Sequence, residues 1–137
     1  MRSRLVPVLL VAVVAAFPGG AAAAWTLTRS GSGAAKAKTL GSGNTPTVSN
    51  QGHKVTVAWA ASYFTTGGAV PGYVVRRYNA ITGVGQGALN GCSGTISGLT
   101  CIENSVPTGS WQYTVTPAAG TNWRGTESAK SAVVVVG

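Results

Sequence analysis

The sequence predicts an all-β protein, a seven-stranded antiparallel β-sandwich behind an N-terminal signal peptide. Three observations predict it. Apolar residues alternate at period 2 in short runs. Clusters of Gly, Pro, Asn and Ser interrupt those runs about every ten residues, the spacing of an antiparallel sandwich. Beyond the first 23 residues no window shows the 3.6-residue period of an amphipathic helix. A chain of 137 residues holds one domain.

The N-terminus has the three parts of a secretory signal. Arg2 and Arg4 form the positive region, residues 5–17 the uncharged apolar run, and Pro18-Gly19-Gly20 breaks it. Ala21-Ala22-Ala23-Ala24 then offers small residues for cleavage, which is expected after Ala23. Loss of Arg2 and Arg4 takes the formal charge from +8 to +6. The rival reading is an uncleaved membrane anchor. No charge occurs between Leu5 and Thr28, but the strongest apolar part is about 13 residues, short of the roughly 20 that a bilayer span needs. No cysteine lies near the cleavage region to carry a lipid.

Residues 24–45 read as a flexible segment, because Ser30-Gly31-Ser32-Gly33 and Gly41-Ser42-Gly43 bracket Lys36 and Lys38. Trp25 and Leu27 alternate briefly, enough for a short added strand. From residue 46 to 137 the strand texture is continuous. Val55, Val57 and Trp59 share one face, as do Tyr73, Val75 and Arg77, and Trp111, Tyr113 and Val115. A β-branched run closes the chain at 132–136. Thr66-Gly67-Gly68, Asn90-Gly91, Ser97-Gly98 and Pro107-Thr108-Gly109 supply the turns.

Residues 46–136 resemble a fibronectin type III domain of secreted bacterial proteins. Val55-Thr56-Val57-Ala58-Trp59 is similar to the family's strand B, whose Trp fills the core. Val70-Pro71-Gly72-Tyr73-Val74-Val75 is similar to strand C. Val106-Pro107-Thr108-Gly109, followed by Trp111-Gln112-Tyr113-Thr114-Val115, looks like the turn into strand F. Glu127-Ser128-Ala129-Lys130-Ser131 looks like the entry to strand G. The set covers about 90 residues in the family's order. There are two departures. Trp111 stands where the family has a corner tyrosine, and an indole only donates, so the corner bond is not reproduced unchanged. Arg77 takes a position often aromatic, which puts its stem on apolar surface and its charge outside. The resemblance implies a non-catalytic module for protein interaction, adhesion or spacing.

An exported chain with two cysteines pairs them. Cys92 and Cys101 fall opposite each other if residues 92–101 fold as a hairpin around Ile96-Ser97. A redox or metal pair would need a C-x-x-C spacing or a nearby His, and neither is present.

The composition also limits the chemistry. The chain has 10 Lys+Arg against 2 Asp+Glu, both of them Glu (Glu103 and Glu127), and one His, His53. A Ser-His-Asp triad cannot be built without Asp. A metal site would consume nearly every ligand the chain owns. His53 reads as exposed and unpartnered, and Glu103 with Glu127 gives no shared cleft for glycosidase work. No enzyme activity, cofactor or metal is expected.

Three surfaces could carry function. The first is the basic set Lys54, Arg76, Arg77, Arg124 and Lys130, either a solubilising charge or an attraction to an anionic cell-wall polymer. The second is the loop 118–126, where Trp123 and Arg124 are residue types favoured as interface anchors. The third is aromatic stacking on sugar by Tyr63, Phe64, Tyr78 or Trp123. The partner is therefore an unknown protein or a cell-wall polymer. Nucleic acid is not expected, because no binding motif accompanies the scattered charges. A membrane enters only through an uncleaved N-terminal segment. The expected location is secreted or at the cell surface.

Overall fold

The computed structural model describes residues 38–137. The predicted signal peptide and the segment through residue 37 lie outside the described residues. Eight strands follow in order: β1 (Thr47–Gln51), β2 (Lys54–Ala58), β3 (Gly72–Asn79), β4 (Gly85–Gly87), β5 (Thr100–Glu103), β6 (Gly109–Ala119), β7 (Trp123–Arg124) and β8 (Val134–Val136). They form two sheets, β1-β2-β5 and β4-β3-β6-β7, with β8 also paired to β6. Every strand pair is antiparallel.

The two sheets face each other across the residues that the period-2 pattern selects. Val55, Val57 and Trp59 come from one side, Tyr73, Val75, Tyr113 and Val115 from the other, and all are buried. Each fully buried valine contributes about 1.5–3 kcal/mol by leaving water. Trp59 meets Tyr73 edge-on at 5.5 Å between ring centroids, and the Tyr73 hydroxyl accepts from the Ser62 amide at 2.8 Å.

Arg77 corrects the expectation of an outward charge. It is 3% exposed and its Nη1 donates to Glu103 Oε1 at 2.7 Å, with Glu103 fully buried. The carboxylate also accepts from the Leu89 amide (2.8 Å) and from the Tyr113 hydroxyl (2.8 Å). With its amide oxygen facing inward, Gln86 accepts from Arg77 Nε at 3.1 Å. The guanidinium lies 4.6 Å over the Trp111 ring. The charges are thus both paired and hydrogen-bonded, the condition for keeping them in an interior. The ion pair joins β5 of one sheet to β3 of the other.

Trp111 makes the corner bond with an indole N–H, its Nε1 donating to the Pro107 carbonyl at 2.8 Å. His53 is exposed but not unpartnered: its Nδ1 donates to the Val106 carbonyl at 2.8 Å, while the Val106 amide donates to the His53 carbonyl at 2.9 Å. The β1–β2 turn is therefore clipped to the loop that precedes β6.

The eighth strand comes from a split final strand. Between the pairs Ala118↔Arg124 and Trp111↔Val134, β6 advances seven residues while its partner advances ten. Two serines stitch the slack. Ser128 Oγ accepts from the Val115 amide and Ser131 Oγ from the Tyr113 amide, both at 3.0 Å. Residues 38–45, read as part of a flexible segment, are laid into the fold. Gly41 donates to the Tyr63 carbonyl, Gly43 to the Thr126 carbonyl, and Leu40 bridges Phe64.

The disulfide Cys92–Cys101 is present, with Cα atoms 5.3 Å apart. The segment it closes is not the expected hairpin around Ile96-Ser97. Ile96 instead exchanges both backbone hydrogen bonds with Tyr73, each at 2.8 Å, so the loop leaves β5 and reaches the opposite sheet. Gly91 makes this possible. Its φ is +99°, and a Cβ there would run into the Ile102 carbonyl. Asn90 and Asn104 clasp the same place, the Asn104 amide donating to the Asn90 carbonyl at 3.0 Å. The outer edge of β5 is covered in this way, one of the means by which sheets avoid edge-to-edge pairing.

Candidate functional site

Strand alternation sorts the polar residues of the five-stranded sheet. In β3, Tyr73, Val75 and Arg77 turn inward, so Gly72, Val74, Arg76 and Tyr78 face out. Cross-strand pairing sets their neighbours on that outer face. Gly72 pairs Ala118, which pairs Arg124; Val74 pairs Thr116; Arg76 pairs Thr114; Tyr78 pairs Gln112. The outer face therefore carries Arg124 at one end and Arg76 near the other. Lys130 completes the set, its Nζ lying 4.5 Å from the centroid of the Tyr78 ring, with Arg76 Cζ 5.6 Å from the same ring.

Glu127 is the one carboxylate on this face. Its Oε1 accepts from both the Tyr78 hydroxyl (2.7 Å) and the Thr114 hydroxyl. Burial pushes its carboxyl up, but the hydrogen bonds from Thr114 and Tyr78, with the Arg76 and Lys130 charges, outweigh this and hold it below the ordinary value. The same carboxylate acts on Tyr78: the hydrogen bond to Glu127, then burial, then its negative charge raise the phenol. In the interior, burial followed by the hydrogen bond to Glu103 raises the Tyr113 phenol well above its usual range.

At the Arg124 end lies a depression of ≈ 420 Å³, lined by Pro71, Gly72, Thr95, Ala118, Gly120, Thr121 and Arg124. Gly72 is its floor. A Cβ there would sit 2.5 Å from Thr95 Cγ2, so the disulfide-closed loop packs directly on the bare backbone. Arg124 is held over the adjacent turn by donating from Nη1 to the Gly120 carbonyl at 3.2 Å.

The structure separates Trp123 from Arg124, the pair expected to anchor together. Adjacent strand residues face opposite ways, and Trp123 pairs Ala119 while Arg124 pairs Ala118. Trp123 tilts against Phe64 at 5.6 Å and stays 42% exposed. Lys38 Nζ sits 3.9 Å over the other partner, Phe64. Tyr78 stands on the sheet face and Tyr63 in the β2–β3 loop, so the four aromatic candidates form no single platform. Lys54 is exposed beside the β1–β2 turn, apart from Arg76 and Arg124. Of the four ligand-contact residues read from the sequence, then, only Arg76 and Arg124 share a face. Gly72, Thr95 and Thr121 escaped the sequence reading. The parity that turns Tyr73 inward also turns Gly72 outward, but Thr95 and Thr121 belong to loops that have no period. Among the described residues, no three His, Cys, Asp or Glu side chains gather as a metal site would require.

No protein-family model matches the chain, and no curated protein matches it by sequence. Solved structures do. Titin module A71 from human cardiac muscle superposes with a TM-score of 0.56 at 18% identity, covering 69% of this chain and 90% of that one. A structure of titin kinase and its flanking domains gives 0.60 at 14% identity over 73% of this chain, which spans 18% of that one. An Fn3-like protein from Clostridium thermocellum gives 0.50 at 17% identity, covering 74% of this chain and 96% of that one. At such identities the likeness is one of architecture, and the chain folds as a fibronectin type III/immunoglobulin-like β-sandwich.

Proposed function

We propose that this chain is an exported, non-catalytic module that presents one sheet face and the loops of one pole to a partner at the cell surface. One observation carries the reading: among the described residues both glutamates, the histidine and both cysteines are already engaged in the scaffold. Glu103 is locked in the interior on Arg77 and Tyr113. Glu127 is shared by two hydroxyls. His53 holds the Val106 carbonyl, and both cysteines form one disulfide. Catalysis needs such groups free to exchange protons with a substrate. The disulfide supports export, since such bonds persist in oxidising compartments.

Fractionating the producing cells and sequencing the N-terminus of the product tests this. The expected product is found outside the cytoplasm and begins near Ala24. A product that keeps Met1 and needs detergent for extraction replaces secretion with membrane anchoring. A reduced, cytoplasmic product overturns the reading.

A further inference from the structure

We infer that the outer face of the five-stranded sheet, from the Gly72 depression to Tyr78, binds a linear acidic polysaccharide. This rests on the proposed interaction role and names the face and the partner. Three cations lie along this face, Arg124 by pairing with the Gly72 row, and Arg76 and Lys130 around Tyr78. From Gly72 to Tyr78 the track spans about 20 Å at the usual rise per strand residue, which accommodates a chain of several sugars rather than a single anion.

Positive charge outnumbers negative on the track. Glu103 is interior, and Glu127, ionised between Arg76 and Lys130 with its Oε1 accepting from Tyr78 and Thr114, is the single side-chain carboxylate set against three cations. Arg76, Arg124 and Lys130 form no salt bridge among the described residues. Between the cations stand neutral hydrogen-bonding groups. Thr95 and Thr121 line the depression, and Thr116 faces out beside Val74. Acidic sugars present the matching set, carboxylates separated by hydroxyls, so both halves of the track find partners. A single-stranded nucleic acid would add stacking of its bases on open aromatic faces. The one aromatic side chain on the track is Tyr78, and its ring is taken by Lys130 and Arg76. An anionic bilayer would reward apolar side chains set among the cations. Val74, the apolar side chain between Arg124 and Arg76, is half-buried in the sheet.

The test measures binding of the purified chain to polygalacturonate, with dextran, a single-stranded oligonucleotide and phosphatidylglycerol vesicles as the other probes. Two double variants remove equal charge: Arg76→Gln/Lys130→Gln on the track, and Lys38→Gln/Lys54→Gln off it. The track pair is expected to weaken polygalacturonate binding about tenfold at physiological salt, as loss of two anion contacts does, with little change from the other pair. Arg124→Gln gives a second track variant, and circular dichroism checks that each one folds. Equal losses from both pairs, or stronger binding to the oligonucleotide or the vesicles, overturn the inference. An exported chain that ignores polygalacturonate sinks this inference alone, whereas a cytoplasmic chain sinks the functional reading whatever it binds.

Discussion

Arg77 and Glu103 are 26 positions apart in sequence and on facing sheets, and each allows the other to stay in the interior. Removing one partner strands the other charge. Arg77→Met is therefore expected to cost about 3–5 kcal/mol in urea denaturation. Glu103→Gln in that background removes the stranded charge and should return part of the loss, so a double-mutant cycle should show strong coupling. Additive effects would mean that the pair does not act as a unit. The core around it was legible in the sequence. Trp59, Tyr73 and Tyr113 follow from alternation alone, because a period of two needs only neighbouring residues to be seen. Arg77 shares that parity, but the cost of burying a charge argues for the outside until its distant partner is known. The His53 bond to Val106 was hidden for the same reason, since 53 positions separate the two.

Among the elements, β2, β3, β6 and the short β8 put most of the apolar strand side chains into the core, and they stand out in the sequence. β1 (Thr47–Gln51) and β4 (Gly85–Gly87) do not, because neither buries an apolar face. Their strand geometry comes from backbone pairing with a better-marked neighbour. The segment 38–45 was misread on the same principle: glycine and serine suggest a linker, yet the amides of Gly41 and Gly43 are used in the fold. The disulfide pairing was legible, and the path of its loop was not. Replacing both cysteines by serine should lower stability by about 2.5–3 kcal/mol on the chain-entropy account of a ten-residue loop. Because Thr95 roofs Gly72, the same variant should loosen the depression, which faster amide exchange at Ile96 and Tyr73 would report. Unchanged exchange there would mean that the Ile96–Tyr73 pairing holds the loop without the covalent bond.

For the molecule as a whole, the architecture and the excess of positive charge were readable from the sequence, and the arrangement of that charge was not. Which cations share a face depends on strand register, and Arg124 and Lys130 belong to a final strand whose register slips by three residues. The pH response follows from the three shifted acids, Glu127 on the acid side and Tyr113 and Tyr78 on the alkaline side. The Glu127 carboxyl lies below its unfolded value of 4.5, so its stabilisation is present at neutral pH and disappears as pH falls through the folded-state value. Glu127→Gln should therefore flatten the acid limb of a stability–pH profile; an unchanged limb would exclude this carboxylate as its source. The Tyr113 phenol is raised, so folding loses support as pH climbs above its unfolded value of 10.0. Tyr113→Phe should weaken that alkaline decline, although it also removes a hydrogen bond from Glu103.

The two ends of the described chain are fastened along the same sheet but at opposite ends of it: Ser42 lies against Thr126, near the β7 end of β6, and Val136 pairs with Gly109 at its start. Tension applied between them would run along the strands rather than across them. The hydrogen bonds at each end would then share the force and shear together instead of peeling one by one.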